Sequence, residues 1–220
     1  MWSGARRRRL TAVPRHAKPT SRVGEPAPDP DRDIVRLITR DGGGTRVAAN
    51  RTAALRALMR RHGAAVYRYC REELHDATLA EDVHQQIFIQ AHRDMATFAG
   101  RSTLRAWLFA IARHRVLDAA KSRRRALAHI EEDDAADATD PTPPAGQRLD
   151  DLRLRQALIA CVARLGAHVR TAILLRYQQD FTFEEMAEIC GARPGTLQAR
   201  VARALPLLRA CIAARTAAGR

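Results

Sequence analysis

Residues 181–208 read FTFEEMAEICGARPGTLQARVARALPLL, and the punctuation of this stretch decides the fold. Thr182, followed three residues later by Glu185, forms a capping box in which each side chain satisfies an orphan backbone donor at a helix start. Met186, Ala187, Ile189 and Cys190 give that short helix an apolar side, and Gly191 stands where a left-handed residue can end it. The chain restarts at Arg193-Pro194-Gly195-Thr196. Leu197, Val201, Leu205 and Leu208 then recur at spacings of four, four and three, which draws one apolar stripe along a second helix. At about 100° per residue Thr196, Ala199 and Arg203 lie opposite that stripe, with Gln198 and Arg200 on its flanks and Arg193 at the entry. A helix buried on one side and lined by Thr, Gln and Arg on the other suits the DNA major groove. The expectation is a helix-turn-helix. The competing reading is an ordinary helical hairpin with a solvated basic face.

Charge is distributed in blocks. Residues 1–50 carry 11 basic and 5 acidic side chains, residues 51–125 carry 15 and 7, residues 126–150 carry 1 and 7, and residues 151–220 carry 11 and 5. Two basic blocks joined by an acidic connector suggest two surfaces for a polyanion, with a spacer that avoids it. Gly and Pro cluster in the first 50 residues and around 141–146, so two small cores are expected rather than one. Cys70, Cys161, Cys190 and Cys211 are far apart with no C-x-x-C, which points to reduced thiols and no metal site. No apolar run approaches the length of a membrane span, and the start has no signal-peptide core, so a soluble, cytoplasmic protein is expected.

Residues 1–50 have little periodicity beyond Ile34-Val35-Arg36-Leu37-Ile38, and they read as a mostly disordered basic extension. From Thr52 to Glu73 the helical pattern is strong, with Gly63 a place where it could bend or loosen. Thr78 and Glu81 suggest a second capping box, starting a helix that buries Val83, Ile87 and Phe88 and leaves Asp82, Gln85, Gln86 and Gln90 outside. After a loop, Ser102 or Thr103 caps a third helix that is apolar at its start, with Trp107 beside Leu104, Leu108 and Ile111 as a core residue, and basic at its end. Residues 126–150, with Glu131, Glu132, Asp133 and Asp134, read as a flexible acidic linker whose 25 or so residues reach roughly 80 Å when extended. A helix with Leu154, Leu158, Ile159, Val162 and Leu165 on one side follows, and then another over residues 168–178. Pro206 removes a backbone hydrogen bond and is expected to bend or end the second helix of the helix-turn-helix near Ala204.

The stretch AEDVHQQIFIQAHRDMATFAGRSTLRAWLFAIARHRVLDAAKSRRR resembles region 2 of the compact, extracytoplasmic-function (ECF) type of bacterial sigma-70 family sigma factors. LRYQQDFTFEEMAEICGARPGTLQARVARALPLLR resembles region 4 of the same family. The resemblance implies an all-α chain, with region 2 over residues 51–125 and a region 4 helix-turn-helix over residues 151–214. It implies partners as well: core RNA polymerase, through its β′ clamp and β flap, promoter DNA, and room for an anti-sigma factor. The family's polymerase-binding positions fall on Asp82, Gln85, Gln86, Ile89 and Gln90. Gln86, Gln90 and His92 stand where glutamate, arginine and tryptophan are usual. The −10 loop falls on residues 94–102, and the −10 DNA-facing set on Arg101, Ser102, Arg105, Arg113, His114, Lys121, Arg123, Arg124 and Arg125. The −35 set is Arg193, Thr196, Gln198, Ala199, Arg200 and Arg203. The function implied is promoter-specific initiation, with no catalysis, no cofactor and no metal. A stand-alone helix-turn-helix regulator shares the last motif but has no use for the 80–125 block or the acidic linker. A nucleic-acid-processing enzyme would need a metal cluster, catalytic grouping or phosphate loop that the sequence lacks.

Overall fold

Leu58, Val66, Tyr69, Cys70 and Leu74 recur on one side of a single long helix, α2 (Thr45–Leu74), which passes through Gly63 without a break. The structure is a computed structural model that describes residues 30–39, 45–128 and 149–218. His75, in the left-handed region at φ 54°, turns the chain into α3 (Ala77–Asp94). The cap of α3 differs from the expected Thr78–Glu81 box. The Asp76 carboxylate accepts the Leu79 N–H at 3.0 Å, because the helix begins two residues earlier than the sequence pattern suggests, with its cap at Asp76 instead of Thr78. A single 3-10 turn, Met95–Thr97, leads into a loop, and Thr103 then caps α4 (Leu104–Ala128) by accepting the Ala106 N–H at 3.1 Å. Trp107 packs as expected, partly buried, its ring 5.4 Å from that of Phe98.

The C-terminal unit comprises α5 (Leu149–Ala163), α6 (Ala167–Ile173), a π-helical turn (Leu174–Gln178), α7 (Phe183–Cys190) and α8 (Pro194–Ala218). Three expectations are corrected in this unit. First, α5 buries Ala157, Cys161 and Val162 and leaves Leu154 and Leu158 largely exposed. Small residues at the contact let α5 lie close along α8, and the leucines are turned outward. Second, the same closeness brings Cys161 and Cys211, with Cα atoms 5.9 Å apart, into a disulfide, so only Cys70 and Cys190 are free thiols. Third, of the two outcomes expected at Pro206, to bend or to end the helix, the end is overturned: α8 continues to Ala218. Pro206 lies on the exposed side, where the lost hydrogen bond leaves a carbonyl that water can reach.

The first 50 residues are also more structured than expected. Residues 32–39 form α1 (Arg32–Thr39), and α2 itself begins at Thr45. The Ile34-Val35-Leu37-Ile38 run is the reason: Ile34 is fully buried and the others pack beside it. Residues 1–29 and 40–44 lie outside the described residues, as do residues 129–148 of the acidic linker with its Glu131, Glu132, Asp133 and Asp134. Nor are there two separate cores. The buried cluster runs without a gap from Ile34 through Phe109 and Phe181 to Leu208, because α4 packs directly on α7.

Two stability measurements test this fold. A Cβ built on Gly63 meets only the His84 Nε2 atom at 3.9 Å, an ordinary contact in a helical backbone. Gly63→Ala should therefore stabilise the protein by about 0.5–1 kcal/mol in thermal denaturation. The disulfide closes a loop with a sequence separation of 50, which in the chain-entropy picture is worth about 4 kcal/mol. Melting with and without a strong reductant should differ accordingly, and Cys161→Ser should abolish the difference.

Candidate nucleic-acid and polymerase interfaces

The helix-turn-helix is built as its punctuation requires. The Thr182 hydroxyl accepts the Glu185 N–H at 3.2 Å, and the Glu185 carboxylate accepts the Thr182 N–H at 2.9 Å. Gly191 ends α7 at φ 61°, its N–H donated to the Ala187 carbonyl. Pro194 then opens α8, where its missing N–H costs nothing. Leu197, Val201, Ala204 and Leu208 are buried, and Leu205 partly so. Arg193, Thr196, Gln198, Ala199 and Arg203 are exposed, and Arg200 is half-buried at the edge of the same surface. The structure thus brings the six expected −35 residues onto one solvent-facing strip. Arg203 is steadied by its own helix, Nε donating to the Ala199 carbonyl at 3.2 Å.

The outer side of α3 is equally distinct. Asp82, Gln85 and Gln86 are exposed, and Ile89 is 52% exposed, which is high for a large apolar residue on a packed helix. Ile89 and Gln85 border a groove of about 390 Å³ whose far wall is Leu55 and Met59 of α2. Met59 is 45% exposed. Its spacing from Leu55 is the signal that a second apolar edge faces outward. Gln90 behaves differently from its neighbours. It donates to Asp94 at 2.7 Å and accepts from Arg115, which ties α3 to α4 below the loop.

The expected −10 residues divide into two groups. Arg101, His114, Lys121, Arg124 and Arg125 are exposed and Ser102 is half-buried, with His114 and Asp118 paired at 3.1 Å along α4. Arg123 instead anchors α4 to the α2–α3 joint, through Asp76 at 3.6 Å and the Leu74 carbonyl at 3.3 Å. Arg105 and Arg113 turn toward the C-terminal unit. The Arg105 guanidinium donates to the Gln179 carbonyl and lies 4.1 Å from the Phe181 ring centroid. Arg113 reaches Cys190 on α7, where burial raises the thiol pKa and the arginine partly offsets that rise. Around this contact the Phe109 and Phe181 rings meet edge to face at 5.1 Å. Gln179, carried inward by the π-helical turn, donates to the Ala65 carbonyl at 3.3 Å. Glu73 is buried between the units, where it accepts Arg170 Nε at 3.0 Å and the Thr171 hydroxyl. Among the described residues no cluster of three or more His, Cys, Asp or Glu could hold a metal, and no helix is long and apolar enough to cross a membrane.

The family model for sigma-70 region 2 matches residues 58–126, and that for sigma-70 region 4 matches residues 155–208. An ECF RNA polymerase sigma factor, SigL of Mycobacterium tuberculosis, is 32% identical over 165 residues, covering 74% of this chain and 90% of that protein. The chain belongs to the sigma-70 family, among its ECF-type members. RNA polymerase sigma factor CarQ of Myxococcus xanthus is 26% identical over 156 residues, covering 71% of this chain and 87% of that protein. The sigma factor RpoE of Bartonella quintana, solved in complex with the anti-sigma factor NepR, superposes with a TM-score of 0.61 at 26% identity, covering 71% of this chain and 95% of that one.

In this sigma factor, region 2 and region 4 therefore meet face to face, and the contact occupies Arg105 and Arg113. Replacing Glu73 by Ala leaves Arg170 charged at a buried contact without its carboxylate, which favours parting the regions so that water can reach the arginine. The expected outcome is a larger radius of gyration in small-angle X-ray scattering with unchanged far-ultraviolet circular dichroism. An unchanged radius would show that the α4–α7 contact alone sets the packing.

Proposed function

We propose that this chain binds core RNA polymerase through the outer side of α3 and the Leu55–Met59–Ile89 groove, and that it directs initiation at promoters carrying −10 and −35 elements. The observation that carries the reading is that both sigma regions match in order on one chain, each presenting its own exposed strip. Asp82, Gln85, Gln86 and Ile89 supply the polymerase contact, and Gln90 holds the strip in place. On α8, Arg200 and Arg203 read base edges, Thr196 near the helix start and Arg193 bind phosphate, and Gln198 and Ala199 line the groove wall. In region 2, Arg101 and Ser102 belong to the −10 loop. Lys121, Arg124 and Arg125 lead the backbone away from it, with His114 beside them. Arg105 and Arg113 join the DNA surface only once region 4 has moved off them, so polymerase and promoter select an opened form. An anti-sigma factor, such as the one bound to the Bartonella relative, would act by holding the regions away from DNA. The protein contributes specificity rather than a chemical step, needs no cofactor, and works in the cytoplasm beside polymerase.

Two sets of variants test this. Asp82→Lys with Gln85→Lys and Gln86→Lys should abolish co-purification with core polymerase while helicity is kept; wild-type binding would refute the polymerase surface. In the holoenzyme, Arg200→Ala or Arg203→Ala should each cost about 1–3 kcal/mol on −35 duplexes and relax preference at one or two adjacent bases. A uniform loss at every sequence, with a flatter salt dependence, would reassign the residue to phosphate.

A further inference from the structure

Helix α1 lies outside both family matches, yet it is not an appendage. At its start the Asp31 carboxylate, 2% exposed, faces the half-turn of α2 at Arg61 and His62. It accepts His62 Nε2 at 2.9 Å and Arg61 at 3.0 Å. Asp33 takes the same guanidinium in a fork, at 2.9 and 3.2 Å, and the Pro30 carbonyl accepts it as well. Burial alone would raise the Asp31 pKa, but the hydrogen bonds from His62 and Arg61 outweigh it and hold the carboxyl below its usual value. With one end fixed at residues 61–62 and the other joined through residue 45 to the start of α2, α1 must run antiparallel along the first half of α2. That course brings α1 against the Met95–Thr97 turn, and Met95 is fully buried.

The Met95–Thr97 turn is the root of the −10 loop. The loop has other described anchors: Phe98 lies on Trp107, with the Phe98 N–H reaching the Met95 carbonyl at 3.3 Å, Thr97 donates to the Asp94 carbonyl at 2.8 Å, and the Asp94 carboxylate accepts Gln90 at 2.7 Å. Beyond them Gly100 sits at φ 66° with open space around it, and Arg101 is exposed. A loop that captures an unstacked base must keep its shape while the duplex comes apart, and what packs on its root helps to set that shape alongside Phe98 and the Thr103 cap at its far end.

We propose that α1 is a positioning element for −10 recognition: docked through Asp31, Asp33 and Ile34, it braces the Met95–Thr97 turn and so sets how sharply the loop discriminates −10 sequences. This rests on the assignment of residues 94–102 to the −10 loop. The residues that act through others here are Asp31, Asp33 and Ile34. None of them is proposed to touch DNA.

The test uses the full chain with core polymerase. Asp31→Ala with Asp33→Ala releases the start of α1, and Ile34→Asp expels its buried side. Each variant is scored for affinity to core polymerase, for permanganate reactivity of −10 thymines, and for run-off yield on promoters altered at −10 or at −35. The expected result for both is a loss of about tenfold in discrimination at −10, with weaker thymine reactivity, while discrimination at −35 and core affinity stay within about twofold of wild type. Asp31→Glu, which keeps the carboxylate, should restore most of the −10 discrimination. Unchanged −10 discrimination in both variants would overturn the proposal. So would equal losses at −10, at −35 and in core affinity, since α1 would then merely keep region 2 folded. Should altered −10 sequences leave the unaltered chain's yield unchanged, the loop assignment itself fails, and that outcome is read from wild type alone.

Discussion

A buried carboxylate governs how the two halves of this sigma factor relate. Glu73, 4% exposed, lies where region 2 meets region 4 and is neutralised by Arg170 and the Thr171 hydroxyl from the other side. Taking a carboxylate and a guanidinium out of water costs several kcal/mol per ion, repaid only when geometry and extra hydrogen bonds are good. Here Arg170 Nη1 also donates to the carbonyls of Ala163 and Leu165, which adds hydrogen bonds from its own side of the contact. When the regions part, water can hydrate both ions and the desolvation cost is recovered. A contact of this kind specifies one docking geometry without making it hard to leave. The grip itself comes from the apolar contact of α4 on α7, with Phe109 against Phe181 at its centre.

Local signals were legible in the sequence at the α7–α8 turn but not at the start of α3, where Asp76 caps in place of Thr78, and tertiary signals were not. The Thr182–Glu185 box, the Gly191 stop and the Pro194 restart all appear as read, because capping is decided by a few neighbouring residues. The outward side of α3 was legible too, since Val83, Ile87 and Phe88 leave only one side for the glutamines. The buried side of α5 was misread because hydrophobicity favoured its leucines. Close approach to α8 favoured Ala157 and Cys161 instead, and no single-helix pattern reports what the partner helix will accept. The disulfide follows from that same approach and is invisible to cysteine spacing. Helix α1 was lost in a basic, Pro-rich flank because its stability is borrowed: eight residues are too few to hold a helix without Ile34 buried and Asp31 paired. Part of the candidate DNA surface was legible as charge. Which arginines face outward was not: Arg105 and Arg123 look alike in sequence, and each is taken by a carbonyl elsewhere in the chain.

Charge makes the closed packing conditional. Region 2 and its flanks, residues 51–125, carry a net +8, and residues 151–220 carry a net +6. Bringing two bodies of like sign together costs work that salt screens over about 8–10 Å, so the closed form is held against its own electrostatics by apolar burial and by Glu73. On the proposed assignment of Lys121, Arg124 and Arg125 to the −10 DNA surface, a promoter would reverse the sign of that term, because each phosphate they met would remove repulsion and release counterions. The residues proposed to draw the protein to DNA would then also be the ones that loosen the packing over Arg105 and Arg113. In that reading no separate trigger is needed for DNA to favour opening once polymerase has fixed region 2. In the proposed opened form the contacts across α4 and α7 would be exchanged for contacts to phosphate where the basic charge had gone uncompensated, and polymerase would add a scaffold on which both regions stay apart at the spacing of the promoter.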